Sequence, residues 1–116
     1  MIIDSHCHLN YEPMIDTLAE TIKRANQDGI NYILTISTED KSYNKILEIV
    51  RAYECVYGTY GIHPHEAKSH QNISSNDIIN KIKQNDKIIG IGESGLDFYY
   101  NHSEKKDQIK CFEEHI

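Results

Sequence analysis

An α/β chain built on a parallel sheet is the fold that the sequence predicts, and three observations predict it. Short apolar runs with strand character recur at Met1 to Asp4, Asn31 to Ser37, Cys55 to Gly61 and Lys87 to Glu93. Amphipathic patterns with helical spacing lie between them and after the last. The alternation repeats every roughly 25 to 30 residues, the length of one strand, one crossover helix and two loops. Four such units make half of a (β/α)8 TIM barrel, a fold whose usual size is about 250 residues. Residues 1–116 are expected to form one domain, since no linker or low-complexity stretch divides them.

The chain opens MIIDSHCHLN. Met1, Ile2 and Ile3 start a strand, and because alternate strand residues share a face, Asp4, His6 and His8 are expected to point together. The first helix follows from Met14, Ile15, Leu18, Ala19, Ile22 and Ala25, with Pro13 near its first turn and Gly29 closing it. A second pattern, Tyr43, Ile46, Leu47, Val50 and Tyr53, follows Asp40 as its expected N-cap. Ile78, Ile79 and Ile82 mark a third helix behind Ser74-Ser75-Asn76-Asp77, which fits the Ser-x-x-Asp start signal. Ile109, Phe112 and Ile116 give the apolar face expected of a fourth, with Ser103 as its candidate cap.

Composition narrows the function classes. At 39% hydrophobic and 26% charged, the chain suits a globular unit with a modest core. Its apolar runs are too short to span a membrane, and Met1-Ile2-Ile3-Asp4 lacks the regions of a signal peptide, so a cytoplasmic setting without membrane contact is expected. Cys7, Cys55 and Cys111 show no C-x-x-C spacing and read as reduced thiols rather than a disulfide framework or a cysteine zinc site. The net charge of -6 is not the footprint of a protein that coats nucleic acid. For any action on DNA or RNA, metal ions must supply the positive charge.

The candidate chemistry sits at strand exits, which is where βα barrels carry their active sites. Two imidazoles spaced i and i+2 on an extended backbone, His6 and His8, converge on one point, and neutral imidazole is a common ligand for divalent metals. The plainer alternative is a pair of polar residues leaving a strand. Gly61-Ile62-His63-Pro64-His65-Glu66 repeats the arrangement after the third strand. Pro64 disposes His63 to extended backbone, so His63 and His65 are expected to keep the alternation rather than start a helix. A merely polar loop is the alternative there. At the fourth exit, Glu93 ends a buried apolar run, a costly place for a carboxylate unless it is paired or bound to metal. Gly90, Gly92 and Gly95 allow close approach of backbone or ligand, but the stretch lacks the lysine of a P-loop, which argues against a phosphate-cradling loop.

Mixed imidazole and carboxylate ligation suits Zn²⁺, Mn²⁺ or a related ion, and the implied reaction is metal-assisted hydrolysis. Tyr99 and Tyr100 can stack on bases or simply pack. His70, His102 and His115 read as surface residues, and Glu104-Lys105-Lys106-Asp107 as a solvated first helical turn.

Asp4-Ser5-His6-Cys7-His8-Leu9, Gly61-Ile62-His63-Pro64-His65, Gly92-Glu93-Ser94-Gly95-Leu96-Asp97, and Gln108 with Phe112 together resemble the successive N-terminal motifs of the TatD-type metal-dependent deoxyribonucleases. The resemblance runs through essentially the whole chain. It implies a (β/α)8 metallohydrolase that cleaves DNA phosphodiester bonds, often from the 3′ end, with a divalent centre of two ions (Mg²⁺, Mn²⁺ or Zn²⁺). Carried over, it makes His6 and His8 ligands of one metal and Glu93 a catalytic carboxylate that can bridge two. It also puts His63 against the scissile phosphate, as a catalytic and substrate-binding residue, while His65 and Asp97 shape the mouth and Tyr99 stands near the substrate. The family's later ligands, two histidines on the fifth and sixth strands and an aspartate on the eighth, have no counterpart in residues 1–116. Weak metal binding and little nuclease activity are therefore expected of this chain alone, together with self-association or a partner supplying the rest of the barrel. Two other readings stand beside it. One is a non-catalytic split or remnant fragment that assists assembly; the other is an amidohydrolase-like esterase, such as a D-aminoacyl-tRNA deacylase.

Overall fold

The computed structural model describes residues 1–116, and its backbone is four successive strand-helix units. Strands β1 (Ile2–Cys7), β2 (Ile30–Thr35), β3 (Val56–Tyr60) and β4 (Ile88–Ile91) form one sheet in the order β1-β2-β3-β4, every neighbouring pair parallel. Helices α1 (Leu18–Gln27), α2 (Asp40–Ala52) and α3 (Ser75–Ile82) connect them, and α4 (Lys105–His115) follows the last strand. This is half of a (β/α)8 barrel. Each strand except β1 is shorter at its C-terminal end than the sequence suggested, since Ser37, Gly61 and Glu93 already belong to the loops that build the barrel mouth.

Helix α2 buries Tyr43, Ile46, Leu47, Ile49 and Val50 against the sheet. It approaches so closely that a methyl group on Gly58 of β3 would lie 2.9 Å from the Ile46 side chain. Ile33, Val56, Tyr60 and Ile88 complete the core from the strands, with Ile22, Ile62, Ala67, Ile78 and Cys111 from the covering segments. The opposite face of the sheet is bare. Ile3, Tyr32, Ile89 and Ile91 are exposed there, and Leu34 and Tyr57 partly so.

Several expectations change in detail. The segment expected to open the first helix is a short 3-10 helix, Met14–Thr17, and only Ile22 of the apolar stripe is fully buried, Met14 and Ala19 being exposed. Asp40 is the first residue of α2 rather than its cap; Glu39 holds that position, and the Asp40 carboxylate instead accepts from the Tyr60 hydroxyl at 2.9 Å and pairs with Lys81. Ser74 does form the capping box: its Oγ accepts from Asp77 N–H while Asp77 accepts from Ser74 N–H at 3.0 Å.

The fourth helix turns its other side inward. Gln108, Cys111 and His115 are buried, whereas Ile109 and Ile116 are exposed and Phe112 lies between. Polar residues win the buried face because each is satisfied there. Gln108 accepts from Asp97 N–H at 2.8 Å and donates to the Asp97 and Ser103 carbonyls. The cap of α4 is Glu104, not Ser103, whose hydroxyl accepts from Lys68 N–H and donates to the His65 carbonyl. No helix is long and apolar enough to cross a membrane.

Candidate metal centre at the strand exits

The C-terminal ends of the strands converge on an open cleft of about 380 Å³ lined by His6, His8, Tyr11, Thr38, His63, His65, Glu66 and Glu93. Strand β1 runs two residues past Ser5, carrying His6 within the strand and His8 just beyond it. Asp4 does not join them: its carboxylate accepts locally from His6 N–H at 3.1 Å. The donor atoms of His6, His8 and Glu93 lie within 4.8 Å of one another. Glu93 Oε2 stands 3.6 Å from His6 Nε2 and 3.8 Å from His8 Nε2. These separations are too long for hydrogen bonds. They lie near the roughly 3.3–3.4 Å between donors that a tetrahedral ion with bonds of about 2.0–2.1 Å requires.

The tautomer also fits a cation. His8 Nδ1 lies 3.0 Å from the Ile36 carbonyl, which can only accept, so Nδ1 carries the proton and Nε2 presents its lone pair toward Glu93.

The exit of β2 supplies no donor to this set yet aligns all its sides. Three successive carbonyls each accept one bond from the cleft: Ile36 from His8 Nδ1–H, Ser37 from Glu93 N–H at 2.7 Å, and Thr38 from His63 N–H at 2.8 Å. Thr59 ties the next two exits, its hydroxyl accepting from Ser37 N–H at 3.3 Å and donating to the Gly92 carbonyl at 2.5 Å.

His63 is extended at φ -61° and ψ 143°, as Pro64 requires, but a 3-10 helix begins at Pro64 and runs to Ser69. The expected alternation of His63 with His65 therefore stops, and His65 sits in the first turn. His63 caps that turn: its Nδ1 accepts from His65 N–H at 3.1 Å. In the neutral ring the proton is then on Nε2, the atom 3.8 Å from Glu93 Oε1. Burial pushes His63 below the ordinary imidazole range, against the opposing pull of Glu93, and favours that neutral form.

His65 Nε2 donates to Asp97 Oδ2 at 2.7 Å, and this bond holds the Asp97 carboxyl below its usual range. Asp97 Oδ1 accepts from Tyr99 N–H at 3.0 Å, so Asp97 works from behind His65. Tyr99 is 85% exposed and stands outside the cleft, its ring edge-on to Tyr100. His102 is exposed as expected and its ring lies 4.4 Å from that of His65. His115 and His70 are not surface residues. His115 is 7% exposed and accepts from Ile62 N–H at 3.1 Å, while partly buried His70 is held between Asp40 N–H and the Glu66 carbonyl.

Tyr11, Thr38 and Glu66 line the cleft without having stood out in the sequence. A signal for Thr38 existed in the topology, since every strand exit of such a sheet faces the mouth. Tyr11 follows a turn and had none.

Known proteins match this chain throughout. An uncharacterized metal-dependent hydrolase of Buchnera aphidicola is 35% identical over 99% of this chain and 44% of its own length. The 3′-5′ ssDNA/RNA exonuclease TatD of Citrobacter koseri is 26% identical over 97% of this chain and 43% of its own. Among solved structures, the TatD homologue YjjV of Escherichia coli superposes with a TM-score of 0.88 at 25% identity, covering 98% of this chain and 44% of that one. A TatD family hydrolase of Entamoeba histolytica shares the fold, with a TM-score of 0.86 at 22% identity. The chain thus spans less than half the length of the relatives it matches. Residues 3–116 match the family described as TatD related DNase, and the chain belongs to that family of metal-dependent hydrolases.

Proposed function

We propose that the chain carries the N-terminal half of a divalent-metal phosphodiesterase centre that hydrolyses DNA from the 3′ end. The observation supporting this reading is the convergence of His6, His8 and Glu93 donors within 4.8 Å, with His63 beside them. The name of the Citrobacter koseri relative favours nucleic acid as the substrate class. His6, His8 and Glu93 would hold a divalent cation, and the Glu93 carboxylate could serve a second. A cation held there would lower the pKa of bound water toward about 7 and would polarise a phosphoryl oxygen.

The remaining work belongs to this chain's own side chains. His63 donates from Nε2 to a phosphate oxygen, its proton kept there by the cap that Nδ1 makes with His65 N–H. His65, anchored by Asp97, holds the His63 side of the cleft in place. Tyr99 offers an exposed ring to a base beyond the scissile bond. The setting is the cytoplasm, where thiols such as Cys7, Cys55 and Cys111 persist.

Calorimetric titration with Zn²⁺ and Mn²⁺ tests the centre. Wild type is expected to bind and His6→Ala to bind at least about 10-fold more weakly; equal affinity would remove the reading. Incubation with single-stranded DNA, duplex DNA and D-aminoacyl-tRNA tests the substrate, and preferential cleavage of the tRNA ester would overturn the nuclease assignment.

A further inference from the structure

The Tyr11 ring lies flat against the His8 imidazole, with centroids 4.8 Å apart and planes 15° from parallel. Its hydroxyl is 2.6 Å from Thr38 Oγ1. Thr38 is buried, and its carbonyl accepts from His63 N–H. One residue thus reaches both sides of the cleft: the His8 side through Tyr11, the His63 side through its own backbone.

We infer that Tyr11 and Thr38 are a positioning pair that sets the plane of the His8 imidazole. The inference rests on the reading of His8 as a metal ligand and deepens it. A hydrogen bond from Nδ1 to the Ile36 carbonyl fixes one point of the ring but leaves it free to rock about that bond. A flat aromatic face 4.8 Å away removes the rocking, provided the face itself cannot swing. Tyr11 is 44% exposed, so packing alone does not hold it; the Thr38 hydroxyl does. The aim of His8 Nε2 at Glu93 therefore depends on a side chain whose own contacts are with His8 and Thr38. Partners that orient a ligand histidine typically contribute 10- to 100-fold in metal affinity.

Two measurements test this, one of them without metal. In the metal-free chain, NMR of the His8 ring protons is expected to show the upfield shift of a stacked aromatic neighbour. That shift should vanish in Tyr11→Leu and shrink in Thr38→Val, where the ring is unanchored. Titration with Co²⁺, followed by its visible absorption, is expected to give affinities about 10-fold or more weaker in both variants. Tyr11→Phe should weaken binding as much as Thr38→Val, and the double variant no further, because both remove the same bond.

Unchanged Co²⁺ affinity and spectrum in Tyr11→Leu would overturn the inference while leaving the metal centre intact. Wild type that shows the ring shift but binds no Co²⁺ would instead overturn the metal centre, and with it the role assigned to the pair. Circular dichroism melts separate loss of the fold from loss of aim, and Thr38→Val, nearly isosteric, keeps the test decisive if Tyr11→Leu unfolds.

Discussion

Gly61→Ala is the substitution through which the fold and the cleft can be tested together. A methyl group on Gly61 would lie 2.5 Å from the carbonyl carbon of Gly92, 2.6 Å from its Cα and 2.8 Å from its nitrogen. All three obstacles are backbone, so no rotamer change relieves them. The β3 and β4 exits must separate, breaking the Gly92 N–H bond to the Tyr60 carbonyl and dragging Glu93 from its bond to Ser37. Overpacking of this kind costs about 1–3 kcal/mol, and a rigid obstacle argues for about 3. At about 4 °C per kcal/mol for a chain of this size, melting should fall by roughly 12 °C.

The assay is thermal unfolding by circular dichroism, paired with Zn²⁺ titration, where Gly61→Ala is expected to bind at least about 10-fold more weakly. Gly90→Ala supplies the contrast. There the added methyl meets only Thr59 Cγ2, at an ordinary 3.5 Å. Alanine is also worth roughly 0.5–1 kcal/mol over glycine inside a strand, so Gly90→Ala should melt at or slightly above wild type. If Gly61→Ala melted with wild type and bound Zn²⁺ equally well, the claim that a bare backbone crossing sets the Glu93 position would be wrong.

Three further predictions concern stability and assembly. His115 is held neutral in the fold by burial, its Nε2 accepting from Ile62 N–H, so its folded pKa lies below the ordinary value of 6.5. The unfolded chain then binds more protons, and stability should be full above about pH 6.5 and fall as the pH drops through the folded value. Urea melts from pH 8 to 5 should show this slope in wild type and a flatter one in His115→Gln, despite the neighbouring Glu114 and His70; identical slopes would refute it. Ser74→Ala removes the capping box of α3 and should cost about 1 kcal/mol, or roughly 4 °C of melting temperature. Finally, Ile3, Ile89 and Ile91 are each more than half exposed on a sheet whose edges are β1 and β4, so sedimentation velocity should reveal species larger than a monomer, reduced by Ile89→Lys. A wild-type monomer at all concentrations would count against it.

What could be read from the chain beforehand was whatever a local pattern encodes. Alternation of apolar runs with helical stripes gave the order of the elements, and Ser74 with Asp77 marked a helix start by their own mutual bonds. His6, His8 and Glu93 stood out because each sits where a strand ends. The inner face of α4 did not, for a physical reason. Residues 108, 111 and 115 have the i, i+3, i+7 spacing of a buried stripe, but two of them are polar, and a hydrophobic search skips them. They are buried because loops distant in sequence offer bonds: Asp97 to Gln108, and Ile62 to His115. Such partners exist only once the sheet has formed.

A related reason hides the β2 exit from the sequence. A sequence displays the groups that would bind a cation, since their chemistry is distinctive, but the groups that aim them are carbonyls, which every residue carries. Ile36, Ser37 and Thr38 align His8, Glu93 and His63 with main-chain oxygens, so their side chains need not advertise it. It follows that a substitution at Ile36 that keeps the backbone path, such as Ile36→Val, should leave the cleft working, whereas Thr38 also acts through its hydroxyl on Tyr11. A substitution that changes the path should disable the cleft without touching a single donor. Proline at Ser37 is the sharpest case, because it deletes the N–H that Thr59 accepts from and restricts the turn that presents all three carbonyls.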